Sequence, residues 1–217
     1  MAVFLFDIRQ TTMTSAKKIL SILGVTLSLT ACGTLFGSSN DDSQYNEPRF
    51  TDKTPIELKV NKVDVISEFT PSFTRPNVEH LFPVSIEKVA KLWGQDRLTA
   101  ADFASNKIAE VIIKDASVTE EIVEGEQIFE QDKVKYSARL VVSVKISDPE
   151  TLAQASTDVE AWRSLTIPAS TDIAQKEKYW HSMVEKLFAD FDERMTNEIN
   201  QNLNVFIKNK EIVPAYY

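Results

Sequence analysis

A single cysteine, Cys32, excludes any disulfide within the chain and any cysteine cluster for metal. Only two histidines are present, His80 and His181, and neither has the histidine or cysteine company of a zinc site. Glycine is also scarce, with five in 217 residues, and beyond Gly37 only Gly94 and Gly125 remain. That excludes a glycine-rich phosphate cradle, and no Gly-x-Ser-x-Gly elbow occurs. Basic charge is short as well: 24 Lys and Arg face 32 Asp and Glu, for a net charge of −8. A surface of that sign does not suit a nucleic acid backbone, so no nucleic acid partner is expected. Finally, the longest apolar stretch, Ile19 to Leu29, is shorter than the roughly 20 residues that a membrane-spanning helix needs.

What is present first is a leader pattern. Lys17 and Lys18 form a charged region, Ile19 to Leu29 an apolar one, and Leu29-Thr30-Ala31-Cys32 closes it. The residues ahead of Met13 place Asp7 and a second apolar cluster before the charges, so translation is expected to begin at Met13. The four residues Leu29 to Cys32 resemble the lipobox of bacterial lipoproteins. The resemblance implies cleavage by signal peptidase II between Ala31 and Cys32, with a diacylglycerol on the Cys32 sulfur and an acyl chain on its new amino group. It also implies sorting by the residue after the cysteine. Here that residue is Gly33 and not an acid, so the periplasmic face of the outer membrane is expected, the inner membrane being the alternative.

Leaving out Arg9, Lys17, Lys18 and Asp7 takes the basic and acidic totals from 24 and 32 to 21 and 31, so the mature chain is more acidic still. Residues 1–31 are therefore assigned to the signal peptide and residues 32–55 to a lipidated flexible tether rich in Gly, Ser, Asn, Asp and Pro. Residues 56–208 form one periplasmic domain, and residues 209–217 a loose tail.

Within that domain the hydrophobic pattern predicts its elements. Ile56, Leu58 and Val60 alternate, and Val63 and Val65 resume in the opposite phase, as in one strand with a bulge near Asn61 and Lys62. Ser85 can cap a short helix to Trp93 that presents Ile86, Val89, Ala90 and Trp93 on one face, with Gly94 as its stop. Lys107 to Val123 holds a second strand. From Val134 to Ile146 apolar residues take every even position, and after Asp148-Pro149-Glu150 alternation resumes from Ala153 to Ile167, which predicts a long antiparallel hairpin. Trp162 falls on its polar face. Ser170 or Thr171 can then cap a helix reaching Leu203, with Trp180, Val184, Leu187, Phe191, Met195, Ile199 and Leu203 in one stripe.

These elements predict an α+β fold: a two-layer sandwich with a mainly antiparallel sheet of about four strands and a short and a long helix on one face. The order also resembles envelope lipoproteins, namely lipopolysaccharide assembly factors of the LptE type and auxiliary lipoproteins of ABC-type lipid transporters. Through Trp93-Gly94-Gln95-Asp96-Arg97-Leu98 and Ile113-Lys114-Asp115-Ala116-Ser117-Val118-Thr119-Glu120 it resembles uncharacterised alphaproteobacterial lipoproteins. The acidic group Glu120, Glu121, Glu124, Glu126, Glu130 and Asp132 lacks the ligand spacing of a calcium loop, and Asp190 and Glu193 lie on a helix face rich in charge. The expectation is a non-enzymatic accessory without cofactor or metal, attached to the membrane by its lipid and to another envelope protein. A lipid-tethered hydrolase is the alternative. An exposed apolar patch or an unpaired sheet edge would favour the first, and a concave site with convergent polar groups the second.

Overall fold

The computed structural model describes residues 45–125 and 131–208, so Ala31, Cys32 and Gly33 lie outside the described residues. Its order is β1 (Ile56–Leu58), β2 (Lys62–Ser67), α1 (Ile86–Arg97), β3 (Leu98–Ala100), β4 (Ile108–Val123), β5 (Lys133–Ser147), β6 (Gln154–Pro168) and α2 (Ile173–Asn202). The main sheet runs β2-β4-β5-β6, and β1 and β3 form a separate parallel pair. This is the α+β architecture expected, with both helices packed on one face of the sheet.

The long strands follow from strict alternation. Tyr136, Ala138, Leu140, Val142, Val144 and Ile146 of β5 are buried, and Val159, Ala161 and Ile167 of β6 share that face. In β4 the phase changes once. Ala109, Val111 and Ile113 are buried, then Ala116 and Val118, and the register shift between Ile113 and Asp115 places a bulge at Lys114. One extra residue there restores the apolar side chains to the core, which is why Lys114-Asp115 interrupts the pattern without ending the strand. β2 pairs with β4 in parallel, since the chain passes through α1 before returning, a crossover long enough for parallel neighbours.

Four local expectations are corrected. Residues 56–65 are not one bulged strand: β1 and β2 belong to different sheets, and the change of phase marks the crossing between them. Leu58 and Val60 are both buried there, while the Asn61 amide donates to the Lys107 carbonyl at 2.8 Å and redirects the chain. Gly94 does not stop α1, which continues to Arg97. A Cβ at Gly94 would stand 3.0 Å from Val65 Cγ2 and 3.4 Å from Val111 Cγ1, so glycine here lets the helix approach β2 and β4 closely. The cap of α2 is Asp172, whose carboxylate accepts the Gln175 amide, and neither Ser170 nor Thr171. Ser85 does cap α1, accepting from the Lys88 amide.

The fourth correction concerns the tether. Residues 45–55 lie against the helices, with Phe50 buried beside Phe188 at a ring separation of 6.1 Å. Polar composition concealed the buried Phe50 and three ion-pairing side chains, Glu47 on Lys88, Arg49 on Asp96 and Lys53 on Asp192. The stripe of α2 is buried as expected, from Trp180 through Leu203, and Trp93 is fully enclosed with its ring 5.0 Å from Phe191. No helix among the described residues is long and apolar enough to cross a membrane.

Candidate interaction surface

A charged network joins the N-terminal segment to the helix layer. Asp192 lies within the apolar stripe of α2, four residues after Phe188, and its carboxylate is buried. Its Oδ1 accepts from Trp93 Nε1 at 2.8 Å and Arg97 Nε at 2.7 Å, and its Oδ2 accepts from Lys53 Nζ at 2.6 Å. The buried Arg97 guanidinium also donates to the Thr54 carbonyl and to Thr196 Oγ1. Burial works against ionisation of Asp192, but the bonds from Lys53, Trp93 and Arg97 outweigh it and hold the carboxyl below its usual range. Arg49 adds a bidentate pair to Asp96, at 2.8 and 2.6 Å, and Asp96 also accepts the Phe50 amide. With every charge engaged, this network holds the segment in place and offers no free group for chemistry.

The histidines stand apart. His80 packs at a tilt against Phe73 with centroids 5.5 Å apart, whereas His181 lies on α2 beside Tyr45, its Nε2 within 3.1 Å of the Asn46 carbonyl. No group of three or more potential metal ligands occurs among the described residues. Asp190 pairs with Arg163 at 2.8 Å, and Glu193 is exposed. A hollow of ≈ 170 Å³ below Phe73 is walled by Phe69 and Phe82 and reaches two carboxylates. Both are occupied: Glu79 accepts the Ser72 amide at 3.1 Å, and Glu87 is bonded to Lys91 at 2.6 Å.

The sheet face opposite the helices is polar and crossed by ion pairs. Lys145 pairs with Glu110 at 3.4 Å, and Arg139 bridges Asp115 to Glu160, the latter at 2.7 Å. Trp162 interrupts this surface at 70% exposure. The 15-residue strand β6 ends the sheet, and no described strand pairs with its outer edge.

The hydrogen-bond phase of that edge can be worked out. The Asp148 amide donates to the Ala153 carbonyl and the Ala169 amide to the Asp132 carbonyl, one bond at each end of the β5–β6 ladder. Bonded and non-bonded pairs alternate in an antiparallel ladder, so the odd residues of β6 turn their amides and carbonyls toward β5. Even residues turn theirs outward. Ser156, Asp158, Glu160, Trp162, Ser164 and Thr166 therefore present backbone donors and acceptors at the edge. Pro168 closes the series with its nitrogen on the outer side, where an edge strand tolerates proline.

A groove of ≈ 510 Å³ lies along the middle of this edge, between Trp162 and Ser164 on β6 and Asp190 and Arg194 on α2. Arg163 and Asp190 neutralise one another inside it. Arg194 is exposed and has no ionic or hydrogen-bonding partner among the described residues. Its charge reaches the rim: the Arg139 bond chiefly, and Arg194 to a smaller extent, hold the Glu160 carboxyl below its usual range.

No family model matches the sequence. Among curated proteins no match was found either. Solved structures with similar arrangements include a minor lipoprotein from Acinetobacter baumannii, 16% identical, covering 66% of this chain and 93% of its own, with a TM-score of 0.36. A rare lipoprotein B from Shewanella oneidensis is 10% identical over 63% of this chain and 98% of its own, with a TM-score of 0.30. A Xanthomonas campestris protein of the DUF330 family is 11% identical over 63% of this chain and 83% of its own, with a TM-score of 0.31. These scores describe loose similarity of arrangement, and the functional reading below is built on the residues of this chain.

Proposed function

We propose that this chain is a lipid-anchored accessory protein of the cell envelope that binds another envelope protein and catalyses no reaction. The observation that carries the binding role is the outer edge of β6, whose outward amides and carbonyls flank the exposed Trp162 and a groove holding the exposed Arg194. A long open edge is a ready template for pairing, and natural proteins blunt such edges unless they are used. Support for the anchor comes from the sequence alone, through Leu29-Thr30-Ala31-Cys32. On this reading Cys32 carries diacylglycerol and an N-acyl chain, and Gly33 directs the protein to the periplasmic face of the outer membrane. Each buried methylene contributes about 0.8 kcal/mol, so two or three acyl chains hold the protein against spontaneous release.

Sucrose-gradient fractionation of native protein, Cys32→Ser and Gly33→Asp tests the anchor. Native protein should band with the outer membrane, Cys32→Ser should be released, and Gly33→Asp should move to the inner membrane. Membrane attachment of Cys32→Ser would overturn the lipoprotein reading. Co-purification from detergent-solubilised envelopes tests the accessory role, which fails if the native protein brings down no specific partner.

A further inference from the structure

Resting on the accessory role just proposed, we infer that the β6 edge takes an extended, acidic segment of the partner protein as a fifth strand of the main sheet. The geometry sets what such a strand meets. A residue placed opposite Trp162 would exchange backbone bonds with it and project onto the open face, beside the exposed indole. Its chain neighbours would project to the other side, into the groove of ≈ 510 Å³ between β6 and α2. There Arg163 is matched by Asp190 at 2.8 Å, whereas Arg194 makes no ion-pair contact among the described residues and only reaches Glu160 through space. An aspartate or glutamate in that place pairs with Arg194, while an apolar residue beside it covers Trp162.

Charge decides against a second copy of this chain as the occupant. Pairing β6 with itself about Trp162 would bring the partner copy's groove-facing side chains into the same space, and the series on that face is Val159, Ala161, Arg163 and Leu165. It would supply an arginine already answered by its own copy's Asp190, and on that face no acid to pair with Arg194. The segment sought is therefore extended, alternates apolar with acidic residues, and comes from another protein.

Outward amides allow the edge to be blocked without cutting the β5–β6 ladder. Proline at Ser164 removes one outward donor, and proline at Thr166 removes the next, giving a second variant should the first fail to fold. The probes are two fluorescent nine-residue peptides, one alternating valine with aspartate and the other valine with lysine. Binding to the full-length protein in detergent is read by anisotropy, with circular dichroism as the folding control. The aspartate peptide should bind the native protein at least tenfold more tightly than the lysine peptide. Arg194→Glu should weaken the aspartate peptide roughly tenfold, and the folded proline variant should abolish its binding. Equal binding of the two peptides, undiminished binding to the proline variant, or a native dimer that the proline variant dissociates would each overturn the inference. Co-purification separates this from the parent reading. A specific partner lost from the folded proline variant supports the edge, whereas one retained by it overturns the edge assignment and leaves the accessory role standing. Failure of the native protein to bring down a partner overturns the accessory role itself.

Discussion

Replacing Asp192 by alanine should be among the most damaging single changes in the domain. The carboxylate gathers three donors, Lys53, Trp93 and Arg97, at 2.6–2.8 Å, and only 4% of the side chain is exposed. Its loss affects the three unequally. Lys53, at 44% side-chain exposure, turns to water, but Arg97 at 6% cannot. Removing one member of a buried pair costs about 3–5 kcal/mol, because the remaining charge stays desolvated. For a domain of this size that lowers the melting temperature by about 6–20 °C. Urea unfolding followed by tryptophan fluorescence is a suitable assay, since Trp93 and Trp180 are buried in the native state. A paired variant, Asp192→Leu with Arg97→Met, isolates the cause. It removes both charges and leaves chiefly Trp93 Nε1 without its acceptor, which costs about 1–3 kcal/mol. The pair should therefore be more stable than the single Asp192→Ala. Equal or greater loss in the pair, or a loss below about 1 kcal/mol in Asp192→Ala, would falsify the argument from an unpaired buried guanidinium.

Acid should expose the same network. The folded pKa of Asp192 is depressed, as is that of Asp96, where the Arg49 bond chiefly and the Phe50 amide outweigh burial. Their contribution is complete above the unfolded carboxyl value of about 3.9 and drains as pH falls through the depressed values. Between pH 6 and 3 the stability of Asp192→Asn should fall less steeply than that of the native protein, as measured by urea midpoints. Gly94→Val should cost about 2–3 kcal/mol by overpacking, because its branches would enter the space of Val65 and the buried Val111; near-native urea midpoints would refute that close approach. Phe50→Ala should cost about 3–5 kcal/mol and open residues 45–55 to trypsin at Arg49 and Lys53, read by limited proteolysis with mass spectrometry. Unchanged cleavage in that variant would refute the docking of the segment.

Legibility in the sequence followed periodicity. The β5–β6 hairpin and α2 were predicted nearly to their ends because one face of each is buried, and burial writes a period of two or of 3.6 into the residues. The boundary between β1 and β2 was not legible because three alternating apolar residues followed by a shift look alike in a bulge and in a change of sheet. The segment around Phe50 was misread because its anchoring depends on Asp96 and Asp192, distant in sequence and hidden within charge-rich helices. A signal did exist: Asp192 keeps the spacing of the apolar stripe, and Arg97 follows Trp93 by four, so each occupies a core position with a charge. The edge site was legible only in part. Trp162 stood out on a polar face, but Arg194 meets it only through the packing of α2 along β6.

The docked N-terminal segment also has a mechanical consequence. Force applied to the chain ahead of Tyr45 does not reach the sheet directly. It meets Tyr45 and Asn46 against His181, then Glu47 on Lys88, the Arg49–Asp96 pair, Phe50 in its apolar seat and Lys53 on Asp192, each loaded after the previous one yields. Peeling residues 45–55 releases at most roughly 35 Å of chain before β1 comes under tension. The domain therefore carries its own slack, stored on the helices and returned when the load is removed, while the main sheet and the β6 edge remain unstrained.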